Sequence, residues 1–350
     1  MTATYLTPAE LDNKYPDQGI SVIICCYNSA LRLPETLRHL ALQVVPPEIS
    51  WELIIVDNAS NDDTALIARR CWDQTRLPHV GFNLLTELQP GKQYALDAGI
   101  RKSTFDYVII CDDDNWLDYD YLHLAFKRMH SDVKIGAAGG QGIAVADVEL
   151  PGWFEKYQHG YAVGRQNSVS GNIYPRNYLW GAGMVFRKSG YQQAYAKFPP
   201  FLTGPKSNTM SRGEDVEFCM RLQLAGFYLY FDEKLIYRHY LPGPRLTETY
   251  CGKLFKADPY ERKILDVYIY QLKISKLSWR EKTGLLFSSL LRFIMSTFSS
   301  RSRWNAAHEA AVIYLLRGIA PIRVPEEICK ARDLYLALSG TNHLFHAKNI

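Results

Sequence analysis

Phe105–Asn115 reads FDYVIICDDDN, an apolar run rich in β-branched residues that ends abruptly in three carboxylates. A short, continuous run of this kind marks a strand buried on both faces of a sheet, since a strand with one wet face would alternate polar and apolar residues. Working outward, the pattern recurs upstream in Ile20–Cys26 (ISVIICC) and Trp51–Val56 (WELIIV), and a further strand is predicted near Val80–Leu85. Helical segments lie between these runs. One starts at about Pro34 and carries Leu37, Leu40 and Ala41, with proline suited to the first turn. A second carries Ala65, Leu66 and Ala68 behind Asp62 or Asp63 as a cap, and Gly91 opens a third. After the aspartates, Tyr119, Leu122, Phe126 and Met129 fall at helical spacing. Strands alternating with helices of this length predict an α/β fold, a mostly parallel, mixed sheet flanked by helices. Such sheets bind ligands beyond the C-terminal ends of their strands. The polar clusters Tyr27-Asn28, Asp57-Asn58 and Asp112-Asp113-Asp114 fall at those ends.

From Val148 to Arg176 the pattern loosens into scattered Gly, Pro, Tyr and Trp, which predicts a loop-rich wall over the site. Leu179–Arg187 (LWGAGMVFR) predicts a strand entered through two glycines, and Phe201–Arg212 a loop. Glu214–Ala225 predicts a helix stopped by Gly226, and Tyr228–Phe231 and Leu235–Tyr240 predict two short strands. Beyond about Pro244 the chain reads as helical.

Over 350 residues, 47% hydrophobic and 22% charged content is an ordinary globular balance, and a net charge of +4 does not point to nucleic acid as a partner. The charge is unevenly placed: Lys234–Arg303 carries 14 Lys or Arg against 5 Asp or Glu. Within that stretch Gly284–Ser300 is apolar, too short and too serine-rich to span a bilayer, and places Phe287, Leu290, Leu291, Ile294 and Phe298 on one helical stripe. Packing against the parent domain is the expected fate of such a stripe; the second reading is peripheral membrane contact through about 284–303, where lipid-linked acceptors reside. The seven cysteines form neither a CxxC pair nor a disulfide-like spacing and read as small buried hydrophobes in a reducing compartment. The N-terminus lacks a basic region followed by an apolar core, so a cytoplasmic location is expected.

Three adjacent carboxylates on a sheet rim repel one another unless a cation or a donor network neutralises them. Hard carboxylate oxygens suit Mg²⁺ or Mn²⁺, usually shared with substrate phosphates. The bland alternative is a solvated turn in which Asp114 or Asn115 caps the next helix.

Taken in order, SVIICCYNSA (21–30), ELIIVDNASNDDT (52–64), GKQYALDAGI (91–100), YVIICDDDNW (107–116) and GEDVEFCMRLQLAGFYLYFDEKLIYRH (213–239) resemble the family 2 glycosyltransferases, inverting enzymes of the GT-A fold. The resemblance covers about Ile20 to Tyr240. It implies a GT-A domain over 1–245, with a nucleotide-binding half at about 20–115 and an acceptor half at 116–245, followed by a helical extension over 246–350. It implies that Tyr27, Asn28 and Asp57 line the base pocket, that Asp112 and Asp113 lie near the ribose and metal, and that Asp114 is a metal ligand with His239 nearby. Asp215 matches the general base and Glu214 its acceptor-side neighbour. Trp180, with Gly181 and Gly183 after it, offers either a stacking platform for an acceptor sugar or a packed strand residue, and Arg245 reads as an ordinary surface charge.

The implied activity is metal-dependent, inverting transfer of a sugar from a nucleotide-diphosphate donor, UDP-sugar favoured. The acceptor would be the hydroxyl of a saccharide or lipid-linked saccharide, in polysaccharide or glycolipid synthesis. The alternative from another class is a catalytically inactive nucleotide- or carbohydrate-binding scaffold of transferase descent, against which the joint presence of Asp57, Asp114 and Asp215 speaks. Other enzyme classes fit less well. CCYNSALRLP has no glycine-rich triphosphate loop, DDDNW lacks the last residue of an aspartyl-phosphate strand end, and Gly204–Ser207 lacks the glycine before lysine of a P-loop.

Overall fold

The computed structural model describes residues 19–75, 77–204, 213–256, 258–298, 306–319 and 321–346. The expectations for the N-terminus, for 205–212 and for 299–303 lie outside them.

The first half follows the predicted alternation: β1 (Gly19–Cys26), α1 (Leu33–Ala41), β2 (Ser50–Asn58), α2 (Thr64–Asp73), β3 (Gly81–Glu87), α3 (Lys92–Lys102) and β4 (Tyr107–Asp112). β1 pairs in parallel with both β2 and β4, and β2 with β3. The period of two along these strands divides their side chains between two cores. Ile20, Val22 and Ile24 join Leu33, Leu37 and Leu40 of α1 on one face. Ile23, Ile54, Val56, Val108 and Ile110 join Ala95, Leu96 and Ile100 of α3 on the other. Each such side chain, fully buried, contributes about 1.5–3 kcal/mol.

The second half adds β5 (Asn115–Leu117), α4 (Tyr121–Ser131), β6 (Ile135–Ala146), β7 (Gly171–Asn172), β8 (Val185–Arg187), α5 (Lys188–Tyr195), α6 (Glu214–Leu224) and β9 (Tyr228–Leu241). The described strands form one sheet of order β3-β2-β1-β4-β8-β6-β9-β5, with β7 beside β9. β4–β8, β6–β8, β5–β9 and β7–β9 are short antiparallel pairings and β6–β9 is a long parallel one, so the sheet is mixed, with its longest pairings parallel, as expected.

Three local expectations are corrected. Leu179–Arg187 is a strand only over Val185–Arg187, because the chain turns at Gly183 (φ 70°), where a Cβ would meet the Tyr121 hydroxyl at 2.6 Å. The two strands expected at 228–240 are one, which continues through a register shift opposite Gly139–Gln141. β6 itself is a strand that the sequence pattern does not announce, since its glycines mask its apolar character. A Cβ at Gly140 would lie 1.6 Å from the Leu235 carbonyl oxygen, so glycine is what lets β9 approach there.

The extension comprises α7 (Glu248–Phe255), α8 (Pro259–Lys276), α9 (Trp279–Phe298), α10 (Ala306–Arg317) and α11 (Glu326–His346). Ile264, Tyr268 and Leu272 of α8 and Leu334 and Leu338 of α11 form a third core with Met220 and Leu224 of α6. The stripe on α9 does not pack as expected: Phe287 is 66% and Leu291 48% exposed. Phe298's side chain lies outside the described residues. All seven cysteines are free thiols, and burial pushes Cys25 up to about 12, which leaves it unreactive.

Candidate active site

The parallel register aligns Cys25 with Asp112 and Cys26 with Asp57, so β1, β2 and β4 end at one level and deliver their polar residues to one rim. The loops there are tied together. Asn28, at φ 50°, donates its N–H to the Ser60 hydroxyl (3.0 Å) and accepts from the Asn61 N–H (2.8 Å). Ala59, at φ 55°, is a second non-glycine in the left-handed region, a conformation that costs energy and clusters at functional sites. Tyr27 is 40% exposed beside this network, and Asp57 accepts from the Ser60 N–H at 3.4 Å. Of the two residues expected to cap α2, Asp63 makes no side-chain cap bond, whereas Asp62 accepts from the N–H of Thr64, the first residue of α2, and from that of Ala30, both at 3.1 Å.

Each of the three aspartates has its own cation. Lys92 Nζ donates to Asp112 at 2.8 Å. Arg32 donates through Nε (3.1 Å) and Nη2 (2.6 Å) to Asp113, which also accepts from the Ser29 hydroxyl. Burial and the neighbouring Asp114 charge raise the Asp113 pKa against these partners. Asp114 is 3% exposed and accepts from Arg245 Nη1 at 2.7 Å, with His239 Nε2 at 3.4 Å. Burial opposes its charge, but His239 and Arg245 prevail and hold the carboxyl well below the usual range. Neither Asp114 nor Asn115 caps a helix: the residue before α4 is Asp120. Arg245 is therefore no ordinary surface charge. The Gly243–Arg245 turn after β9 folds it back onto Asp114, which a reading of lone charges beside prolines cannot foresee.

His239 reaches Asp114 because β5 runs antiparallel to β9 with Asn115 opposite His239. Its Nδ1 donates to the Tyr161 carbonyl (2.7 Å), which leaves Nε2 directed at Asp114. Burial disfavours the imidazolium, but the facing carboxylate outweighs it and raises the His239 pKa. In its neutral form, Nε2 and Asp114 Oδ1 present two lone pairs at nearly the spacing of adjacent ligands of one Mg²⁺ or Mn²⁺, about 3 Å. The pair fits such an ion, with remaining positions left to water or phosphate. Among the described residues no cluster of three or more such ligands occurs.

Across the rim, Gly213 (φ 92°) starts α6 and sets Glu214 and Asp215 in its first turn. Asp215 is not the cap. Its Oδ2 accepts from the Gly181 N–H and its Oδ1 from the Val216 N–H, both at 2.9 Å. Burial is the main cause raising both carboxyls, Glu214 to about 7, with Asp215 the next contributor there and Lys92 opposing. Lys92, Gly181, Glu214, Asp215 and Phe218 line a small cleft, partly open to solvent. Lys92 thus faces the strand-end aspartates and the helix carboxylates together. It sits inside a quoted motif without a role in the sequence reading; its signal was a lone lysine directly after a helix-opening glycine. Trp180 is 8% exposed, with the Arg176 guanidinium over its ring at 5.2 Å.

The structure therefore gathers Asp112, Asp113, Asp114, His239 and Arg245 at one end of a rim, Tyr27, Asn28 and Asp57 along it, and Glu214 and Asp215 opposite. The family model described as "Glycosyl transferase family 2" matches residues 21–194. Poly-beta-1,6-N-acetyl-D-glucosamine synthase of Staphylococcus aureus is 25% identical over 232 residues, 63% of this chain and 51% of that protein. The protein of the same name from Staphylococcus epidermidis is 27% identical over 175 residues, 49% of this chain and 40% of its own. The chain spans about half the length of the first of these or less of either. The crystal structure of S. aureus TarS superposes with a TM-score of 0.52 at 15% identity, over 93% of this chain and 53% of that one, a likeness of fold.

Proposed function

Because the chain belongs to glycosyl transferase family 2 through residues 21–194, we propose that it transfers a sugar from a nucleotide-diphosphate donor, a UDP-sugar, to a saccharide or lipid-linked saccharide hydroxyl, with inversion, at the cytoplasmic side of polysaccharide or glycolipid synthesis. The observation that carries the reading is the convergence of two carboxylate groups on Lys92, which pairs with Asp112 of the strand-end run and lines one cleft with Glu214 and Asp215. The name of the S. aureus relative supports an N-acetylhexosamine donor and a growing polymer as acceptor.

In this reading Tyr27, Asn28 and Asp57 hold the base, and Asp112 and Asp113 border the ribose. Asp114 and His239 would hold Mg²⁺ or Mn²⁺, which when bound stabilises the charge left on the diphosphate. Arg245 and Lys92 bring fixed positive charge to the same leaving group. Asp215, held by the Gly181 N–H, accepts the acceptor's proton as the new bond forms, and its raised pKa strengthens it as a base. Glu214 borders the acceptor, and Trp180 shapes that wall from beneath by positioning Gly181. The GT-A domain is assigned to 1–245 and the helical extension to 246–350.

Thermal shift with UDP, with and without Mn²⁺, tests the donor end. The wild type is expected to be stabilised much more by the pair than by UDP alone, and Asp114→Ala to lose that difference. Equal stabilisation with and without the ion in the wild type would overturn the metal assignment, and no response to any nucleoside diphosphate would overturn the donor class.

A further inference from the structure

α9 is built inside out. Its buried Ser289 faces inward, and Arg292 turns toward α10 to pair with Glu309 at 2.9 Å, while Glu309 is 2% exposed. The apolar stripe points the other way, with Trp279 72%, Phe287 66%, Leu290 38%, Leu291 48% and Met295 58% exposed. These positions recur at spacings of three, four and eight, so they form one continuous face along the helix. A helix that only sealed a core would carry the reverse arrangement. No described helix is long and apolar enough to cross a membrane, so this face is not a span.

The charge around the face decides what covers it. Lys273 and Lys276 at the end of α8 and Arg280 at the start of α9 are exposed; the Arg280 guanidinium lies over the Trp279 ring at 5.6 Å, and the Lys276 ammonium over the Tyr174 ring at 3.5 Å. The one acid among them, Glu281, is engaged with Ser278 through the N–H (2.7 Å) and the hydroxyl (2.6 Å). A second copy of the chain would bring the same cations into opposition. A phosphate-rich surface would complement them, and tryptophan at the polar end of an apolar stripe suits a bilayer interface.

We infer that the outward face of α9, flanked by Lys273, Lys276 and Arg280, docks on an anionic lipid bilayer, with Phe287, Leu290 and Leu291 entering the acyl boundary. The inference is separate from turnover, because docking is read without donor or acceptor.

Co-sedimentation of the full chain with phosphatidylglycerol-containing vesicles, against pure phosphatidylcholine vesicles, tests it. The chain is expected to pellet with the acidic vesicles and to be released as salt rises. Phe287→Ser with Leu291→Ser should weaken partitioning by roughly tenfold or more. Lys273→Ala and Arg280→Ala should weaken it by about fivefold each. All four positions are exposed, so unchanged circular dichroism is expected and checks that the variants fold. Failure to bind acidic vesicles, equal binding to neutral ones, or salt-independent binding would overturn the proposal. So would a dimer in light scattering that the Phe287→Ser, Leu291→Ser pair dissolves, since the face would then belong to a second copy.

Discussion

Glu214 and Asp215 are neighbours in one helical turn, yet their surroundings separate them. Asp215 is fixed by the Gly181 N–H, whereas Glu214 titrates near 7 because burial and the Asp215 charge disfavour its ionised form. The separation yields two tests. Asp215→Asn keeps the shape and can still hydrogen-bond but takes no proton. Transfer is expected to fall by roughly 10²–10⁴-fold while UDP binding stays near wild type, and turnover within a few-fold of wild type would remove Asp215 from the role of base. For Glu214 the effect is on stability. A carboxyl whose folded pKa exceeds its unfolded value of 4.5 binds protons more tightly when folded, so its stabilisation is complete below 4.5 and is lost as pH rises through about 7. The melting temperature should therefore fall between pH 5 and pH 8 in the wild type, and Glu214→Gln should flatten that fall. An unchanged slope would show that Glu214 is not the group responsible.

The helix that presents these carboxylates is itself anchored by charge. In α6, Glu217 and Arg221 are fully buried and paired at 2.8 Å, and the Tyr268 hydroxyl from α8 bonds both, at 2.8 and 3.0 Å. Glu217 also accepts from the Phe201 and Leu202 N–H groups, and Arg221 donates to the carbonyls of Ala194, Phe198 and Pro199. Removing one member strands the other without solvent, so Arg221→Met should destabilise by about 3–5 kcal/mol, read by urea unfolding. A loss below 1 kcal/mol would mean that the network relaxes around the gap. Legibility in the sequence divides along the same physical line. β1, β2, β4 and α6 were readable because burial writes a local period into their residues. β6 was not, because Gly140 answers to Leu235 nearly a hundred residues away. Asp57 and the aspartate run stood out as polar breaks at strand ends, whereas Asp215 was marked only by the family resemblance of 213–239. Arg245 and Lys92 acquire partners only through the turn after β9 and the opening of α3.

At the scale of the molecule, the extension is bound to the sheet domain through the same helix that carries the proposed base. α8 and α11 bury Ile264, Tyr268, Leu272, Leu334 and Leu338 against Met220 and Leu224 of α6, leaving the α9–α10 hairpin to one side. A shared apolar core of this kind makes two segments fold as one unit, whereas a polar, separable contact would let each melt alone. Cutting the chain after residue 256 would expose that core and remove Tyr268 from the Glu217–Arg221 pair. The truncated protein is therefore expected to melt well below the full chain and to lose transfer. UDP binding at the β1, β2 and β4 rim should survive at temperatures where the truncated protein remains folded. In the full chain, calorimetry should show one cooperative transition for sheet and extension, with calorimetric and van't Hoff enthalpies in agreement. Two resolved transitions, with a truncated protein as stable as the whole, would mean that α6 holds its carboxylates without α8. The extension would then have no part in positioning the base.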